Sequence, residues 1–228
     1  GDMPPVLIAL GAAFALRHGD SERILPLEDF FIAYGKQDRN PGELVWRIGI
    51  PKLTASEAFR AYKISKRFDQ DISAVMAAFK FRLADRRIAS ARIAFGGMAA
   101  TPKRGRQAET ALEGAALDDE SSWTAAIAAL ARDFQPISDM RASASYRMEV
   151  AQGLLRKALM EVAGARIATT RVVGAAGGYR RARPSRHGRS APPSSTKALP
   201  RENSLCCWTV KLKLCGLAVT GRANGSPN

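Results

Sequence analysis

The sequence predicts an α+β protein in which helices cover a small antiparallel sheet and a basic tail follows. Three observations support this fold class. Short strand-like runs separated by turn residues occupy residues 13–95, and apolar residues at helical spacing occupy residues 106–162. After residue 164 the chain becomes strongly basic and loses any apolar period.

A short helix is predicted at the start of the chain. Pro4 and Pro5 suit a first helical turn because their backbone angles are already helical and the first turn needs no donor from them. The apolar run Val6–Leu10 continues the helix, and Gly11 suits its end.

Strand-like runs come next, each bounded by turn residues. They are Ala13–Arg17, Leu44–Ile50 (ended by Pro51), Ala58–Ser65, Asp71–Leu83 and Ile88–Phe95. Between the first two, residues 26–31 form a compact turn with two phenylalanines to bury. The last two runs are joined by the short turn at 84–86, so we expect them to form a hairpin.

Three helices are predicted in the second half, at Arg106–Leu112, Trp123–Phe134 and Ser143–Val162. Ser121 and Ser122 are expected to cap the second. The third is the longest, and its predicted apolar face consists of Tyr146, Val150, Leu154, Leu155, Ala158 and Val162. We expect these helices to cover one face of the sheet.

The positive charge is concentrated in the tail. The net charge is +14, but residues 1–164 carry 23 Lys and Arg against 20 Asp and Glu, whereas residues 165–228 carry 12 against one. Of the 25 residues at 171–195, 21 are Arg, Gly, Ala, Pro or Ser, a composition that cannot bury a core, so we expect disorder. A shifted reading frame near residues 164–173 and a genuine basic extension both account for such a segment.

Several functional classes find no support in the residues. The cysteines all lie in the tail (Cys206, Cys207 and Cys215), which fits a reducing, cytoplasmic location, and their spacing with His187 is not that of a zinc site. The apolar run Val6–Leu16 is shorter than the roughly 20 residues a membrane span needs. No hydrolase triad or phosphate-binding Gly-Lys-Ser/Thr loop is present, and we assign no catalytic residue.

Four runs of residues resemble one family in order. They are GDMPPVLIALGA at 1–12; Phe30–Phe31, Tyr34-Gly35-Lys36, Pro41-Gly42-Glu43 and Ile48–Pro51; Phe59 to Arg67 with Asp71–Ile72; and Phe95 to Ala99 with Thr101–Arg104 and Ala108–Glu109. Together they resemble the flavoprotein of the molybdenum hydroxylases. Within that family, the FGGMA and KR…DI runs favour xanthine dehydrogenase over the carbon monoxide and nicotinate enzymes.

The resemblance implies a division of the chain. Residues 1–51 correspond to a remnant of the second half of a PCMH-type FAD-binding domain, and residues 165–228 to a tail outside the fold. Residues 52–164 correspond to the flavoprotein C-terminal domain, for which the resemblance implies a three-stranded antiparallel sheet covered by helices. The iron–sulfur domains and the first half of the FAD domain, with its glycine-rich pyrophosphate loop, are expected to precede this region. We therefore expect the chain alone to hold FAD weakly or not at all and to be inactive by itself.

The resemblance also implies a function. Electrons from purine hydroxylation at a molybdenum cofactor on a large partner subunit pass through [2Fe–2S] clusters to FAD, which then reduces NAD. A rival interpretation is a protein without redox activity that docks on a partner subunit or binds nucleic acid non-specifically through the basic tail.

Five cofactor-contacting positions follow from the resemblance. Asp2 matches an aspartate that hydrogen-bonds FAD, Val45 a residue that touches FAD through its backbone, and Lys63 a lysine beside the flavin. Asp69 and Asp71 lie in the segment along the isoalloxazine, and the choice between them stays open. From the residues alone, Asp2 is also a plausible cap and Lys63 a solvated lysine. Lys103, Arg104 and Arg106 are interpreted as a solvated basic turn, and no metal site is assigned.

Overall fold

The computed structural model describes residues 1–67 and 71–165, together with the backbone of Cys206–Thr209. The expected disorder of the tail otherwise concerns residues outside the described part of the chain. The α+β fold class is confirmed. The proposed domain boundaries at 51 and 164 stay a prediction.

The N-terminal elements are a helix and a small antiparallel sheet. Helix α1 (Met3–Leu10) ends at Gly11, whose φ of +81° is the left-handed conformation that favours glycine. The strands of the sheet are β1 (Ala13–His18), β2 (Ser21–Pro26) and β5 (Leu44–Gly49). Their order in the sheet is β2-β1-β5.

Smaller elements lie between β2 and β5. The compact turn predicted at 26–31 is a one-turn helix, α2 (Leu27–Phe30), followed by the two-stranded ribbon β3 (Phe31–Ala33) and β4 (Lys36–Gln37). Phe30 is buried against Phe14, whereas Phe31 is only partly buried.

The main sheet is antiparallel and contains the predicted hairpin. Its strands are β6 (Glu57–Ser65), β7 (Val75–Ala84), β8 (Arg87–Gly96), β9 (Lys103–Arg104) and β10 (Cys206–Thr209). Their order in the sheet is β10-β6-β7-β8-β9, so the three expected strands form the centre and a short strand is added at each edge. Asp85 and Arg86 form the two-residue turn of the hairpin, both with positive φ, which suits the twist of the adjoining strands.

The three predicted helices are α3 (Arg106–Leu112), α4 (Thr124–Asp133) and α5 (Ala144–Ala163). The capping prediction for α4 was wrong: a 3-10 turn at Glu120–Trp123 precedes the helix, and Asp119 caps that turn by accepting from the Ser121 backbone N–H at 2.9 Å. An aspartate at the preceding extended residue is better placed than the serines, which already lie in the turn. Ser143 caps α5 through the Tyr146 backbone N–H.

The buried face of α5 is rotated slightly from the prediction. Leu154, Leu155 and Ala158 are buried as expected, but Arg147 is also buried, at 1% exposure. Tyr146 and Val150 pack at the margin of the core. The sequence pattern excluded the arginine from the core because charged side chains are almost never fully buried without a partner.

Both faces of the main sheet are covered. Helices α3, α4 and α5 pack on one face over large side chains such as Phe79 and Phe95. The prediction of a single covered face was incomplete, because α1 packs on the other face over the small residues Ala78 and Ala94. A Cβ at Gly96 would lie 2.9 Å from Pro5 Cγ, so this glycine allows the close approach of α1.

An ion-pair network joins α2 to the main sheet. Glu28 pairs with Arg92, Arg104 and Arg106 at 3.1–3.4 Å, and Glu109 pairs with Arg104 at 2.6 Å. The Arg104 side chain is only 13% exposed. The interpretation of this segment as a solvated basic turn was therefore wrong for Arg104, because Glu109, five residues on, and Glu28, 76 residues away, both pair with it.

Candidate functional site

Asp2 and Lys63 meet at the end of the main sheet. Lys63 Nζ lies 2.8 Å from Asp2 Oδ2, and Ser73 Oγ donates to Asp2 Oδ1 at 2.6 Å. Asp2 immediately precedes α1, Lys63 lies near the end of β6, and Ser73 lies just before β7. We call Asp2, Lys63 and Ser73 the Asp2 cluster.

The Asp2 carboxylate is ionised in this setting. Burial by itself would raise its pKa, but the hydrogen bonds from Lys63 and Ser73, with the positive charge of Lys63, lower the pKa below its ordinary value. The cluster remains accessible, since the Asp2 side chain is 38% exposed and that of Lys63 is 22% exposed. A carboxylate with two oxygens has acceptor capacity beyond these two bonds.

Asp71 orders the backbone beside the cluster. Its carboxylate accepts hydrogen bonds from the backbone N–H groups of Arg67 at 2.8 Å and Ile72 at 3.0 Å. The bond from the Arg67 N–H is the main cause that lowers the pKa of Asp71. Asp71 therefore contributes a negative charge held by its own chain segment, two residues from Ser73.

Arg147 anchors the same region from α5. Its Nη1 donates to the carbonyl oxygens of Ala74 at 2.5 Å and Gly97 at 2.7 Å, and its Nη2 donates to Asp139 Oδ1 at 2.6 Å. Burial opposes ionisation of Asp139, but hydrogen bonds from Arg141 and Arg147 hold its pKa well below the ordinary value. The guanidinium is thus a buried cation with a charged acceptor and two backbone acceptors.

The five predicted site residues are only partly brought together. Asp2 and Lys63 are in direct contact, and Asp71 lies in the adjacent segment. Val45 lies in β5 of the other sheet, paired with Leu16, and no contact with the Asp2 cluster is described for it. Asp69 lies outside the described residues.

Two residues of this region were missed from sequence. Ser73 follows the recognised Asp71–Ile72 pair and contacts Asp2 across 71 positions, which no local pattern indicates. Arg147 was missed because a charged residue beside an apolar helix face ordinarily reaches solvent, and no local pattern indicates its acceptors at Ala74, Gly97 and Asp139.

A metal centre and a membrane span find no support in the described residues. Residues 1–67 and 71–165 contain no group of three or more His, Cys, Asp or Glu side chains arranged to hold a metal ion. No helix within this part of the chain combines the length and the apolar character needed to cross a bilayer.

Two family models match most of this region. Residues 1–53 match the FAD binding domain in molybdopterin dehydrogenase, and residues 60–162 match the CO dehydrogenase flavoprotein C-terminal domain. The matched regions meet at the Asp2 cluster, since Asp2 belongs to the first and Lys63 and Ser73 to the second.

Curated relatives with different substrates are similar to the chain. It is 36% identical to nicotinate hydroxylase and 34% identical to xanthine dehydrogenase, both from Emericella nidulans; each match covers about two thirds of this chain (64% and 67%) and 11% of the relative. It is 33% identical to the glyceraldehyde dehydrogenase medium chain of Sulfolobus acidocaldarius, over 71% of this chain and 57% of the relative. The matches thus span between 11% and 57% of the length of these relatives.

Solved structures agree with the sequence matches. Carbon monoxide dehydrogenase from Oligotropha carboxidovorans superposes with a TM-score of 0.65 and 31% identity, over 72% of this chain and 56% of that one. The mixed sheet-and-helix architecture and the two matched regions lead to the same family. The chain belongs to the flavoprotein family of the molybdenum hydroxylases, with an FAD-binding-domain region at residues 1–53 and a flavoprotein C-terminal domain at residues 60–162.

Proposed function

We propose that this chain helps to hold FAD in a molybdenum hydroxylase, so that the flavin receives electrons from [2Fe–2S] clusters and passes them to NAD. The proposed flavin contacts are Asp2, Val45, Lys63 and an acid of the segment after β6, either Asp69 or Asp71. The observation that carries the proposal is the Asp2 cluster, an accessible ion pair between the two regions that match FAD-domain and flavoprotein models.

The residues of the cluster suit part of a flavin nucleotide. The ionised Asp2 carboxylate accepts hydrogen bonds from hydroxyl or N–H groups, and the Lys63 ammonium donates to carbonyl or phosphate oxygens. Exposed apolar side chains of β5, Val45 at 40% and Trp46 at 50%, offer surface for a planar ring system. When bound, FAD would supply the electron transfer; the protein's residues bind it and orient it.

The proposed electron donor is purine hydroxylation. This substrate rests on the FGGMA and KR…DI runs, since relatives that act on nicotinate, xanthine and glyceraldehyde all lie between 33% and 36% identity. NAD is the proposed acceptor on the same basis. The remainder of the flavoprotein, with its iron–sulfur regions, and a large molybdenum-cofactor subunit are the proposed partners. The glyceraldehyde enzyme's subunit is itself called a medium chain, which supports the multi-subunit arrangement.

A cytoplasmic location is proposed from the sequence. Residues 1–164 contain no cysteine, so no disulfide can form within the matched regions.

FAD titration of the labelled chain tests the flavin assignment. Because the chain alone is expected to bind weakly, backbone NMR shifts are followed at millimolar FAD, with AMP as a ligand that lacks the flavin. The expected result is FAD-specific shifts at Asp2, Lys63, Ser73 and Val45. Lys63→Met should remove the shifts around Asp2, whereas Lys52→Met, on an exposed segment, should retain them. Equal shifts with FAD and AMP, or shifts confined to residues outside the cluster, would contradict the assignment.

A further inference from the structure

The buried guanidinium of Arg147 contacts the backbone beside the Asp2 cluster, at the residue after Ser73. Arg147 is 1% exposed, on a helix that otherwise contributes apolar side chains to the core. Burying a cation is unfavourable unless acceptors surround it. Its described acceptors belong to three segments: Ala74 before β7, Gly97 after β8 and Asp139 before α5.

The bond to Ala74 completes the attachment of residues 71–74. The Ala74 N–H donates to the Ile64 carbonyl at 2.7 Å, and its own carbonyl accepts from Arg147 at 2.5 Å. Both backbone polar groups of Ala74 are therefore held, one by β6 and the other by α5. Ser73 is the preceding residue, so the direction of its side chain toward Asp2 depends on this attachment.

The second glycine of the FGGMA run makes room for the same contact. Gly97 has a φ of +81°, and a Cβ there would lie 2.3 Å from the Ala74 carbonyl oxygen and 3.0 Å from Arg147 Nη1. Only glycine lets the two backbone segments approach so closely. The guanidinium then bonds both carbonyl groups with one nitrogen.

We propose that Arg147 is a positioning residue for the Asp2 cluster: it holds Ala74 and Gly97 together and thereby fixes Ser73 against Asp2. The inference rests on the proposed flavin role of the cluster for its functional meaning. Arg147 reaches neither Asp2 nor Lys63 in any described contact, so its effect passes through the backbone of residues 73–74. Asp139 supplies the counter-charge that keeps the cation in place.

The chain offers a matched control. Arg141 also pairs with Asp139, at 2.7 Å, but no contact with Ala74 or Gly97 is described for it. Arg141→Gln therefore removes a cation from Asp139 and leaves the backbone contacts of Arg147. Arg147→Met keeps the approximate volume and removes every donor. Arg147→Lys retains a cation that can turn to the two carbonyls but cannot reach Asp139 at the same time.

Amide hydrogen exchange measures the anchor without any ligand. The readout is the exchange rate of the Ala74 N–H relative to that of Ile88, a buried residue whose N–H bonds the Ala115 carbonyl at the start of β8, the opposite end of that strand from Gly97. Where both amides exchange through global unfolding, general destabilisation accelerates both alike and leaves the ratio unchanged. We expect Arg147→Met to raise the ratio at least tenfold, Arg147→Lys to raise it less, and Arg141→Gln to leave it unchanged.

The FAD titration separates the anchor from the flavin role. If the wild-type chain shows FAD-specific shifts, Arg147→Met should weaken those at Asp2 and Lys63 at least fivefold. If Arg147→Met leaves the ratio of the Ala74 exchange rate to the reference exchange rate unchanged, Arg147 does not hold Ala74 in place, whether or not FAD binds. A raised ratio together with equal FAD and AMP shifts at the Asp2 cluster would support the anchor and overturn its flavin role.

Discussion

Lys63 Nζ lies 2.8 Å from Asp2 Oδ2, so one ion pair connects the residue before α1 to strand β6. Because the pair is partly exposed, it contributes little to stability, under about 1 kcal/mol. Its larger effect is on the charge state of Asp2, whose pKa is lowered by this neighbour and by Ser73.

Replacing Lys63 should therefore change the titration of Asp2. In Lys63→Met, the pKa of the Asp2 carboxyl should rise, because the hydrogen bond and the positive charge that oppose burial are both lost. The carboxyl carbon shift of Asp2, followed by NMR across acidic pH, measures this. Lys52→Met removes an exposed lysine of the segment between β5 and β6 and should leave the titration as in the wild type. Titration of Asp2 at the same pH in both variants would contradict the assigned role of Lys63.

Elements with local signals were predicted well. Helix α1, strand β5 and the β7–β8 hairpin are marked by prolines, glycines and short-range apolar spacing, and each was found. The bounds were close for α1, β5 and β8, but β7 begins at Val75, four residues after the predicted start at Asp71. The cap of α4 was misassigned because Asp119, Ser121 and Ser122 all suit an N-terminus, and the intervening 3-10 turn left no distinct signal.

The contacts that build the site depend on long-range pairing. Asp2 meets Ser73 across 71 positions, and Arg147 meets Ala74 across 73. No periodicity indicates such pairs, so Asp2 and Lys63 entered only through resemblance to a family. Arg104 was placed in solvent partly for the same reason, since one of its partners, Glu28, is 76 residues away. Its other partner, Glu109, lies only five residues on, in α3.

Gly97→Ala should destabilise the protein more than the same change at Gly114. Both glycines have a φ near +80°, so both changes carry the cost of a left-handed alanine, about 1 kcal/mol. At Gly97 the added Cβ also meets the Ala74 carbonyl oxygen at 2.3 Å, whereas at Gly114 no atom lies within 4 Å. We expect a loss of about 3 kcal/mol or more at Gly97. Urea unfolding of the two variants measures the difference, and equal losses would show that the Ala74 carbonyl moves away freely.

Glu28→Gln should weaken the attachment of α2 to the main sheet. The change removes a carboxylate, 18% exposed, that pairs with Arg92 and Arg104 and leaves those cations with fewer acceptors. We expect a loss of about 2 kcal/mol in the free energy of unfolding, less than for a fully buried pair. Glu113→Gln, at an exposed position with no ion pair described, is the control and should stay within about 0.5 kcal/mol of the wild type. A loss no greater than that of the control would mean that water replaces Glu28 adequately.

Deletion of residues 165–228 should abolish any binding to DNA. The deletion removes 12 of 35 basic residues and only one of 21 acidic residues. Binding through such a tail is phosphate-driven, so the full chain should lose affinity steeply between about 50 mM and about 200 mM salt. Gel-shift assays of both forms at the two concentrations measure this. Retention of binding in the deleted form would show that the matched region itself binds DNA, and salt-insensitive binding of the full chain would contradict phosphate-driven binding through the tail.

Asp139 should make the protein sensitive to acid. Its folded-state pKa lies below the ordinary value near 4, because hydrogen bonds from Arg141 and Arg147 outweigh the effect of burial. The unfolded chain therefore takes up the proton first, so the stabilisation is complete above about pH 4 and is lost as the pH falls toward the folded pKa.

Asp139→Asn lacks this titration and should show a flatter dependence of unfolding free energy on pH below 4, at a lower stability at neutral pH. Asp85→Asn, which removes an exposed carboxylate from the β7–β8 turn, is the control for the loss of one negative charge. If Asp139→Asn and the wild type lose stability in parallel below pH 4, the carboxylate does not hold Arg147 by its charge, and the anchor depends on the two carbonyl bonds alone.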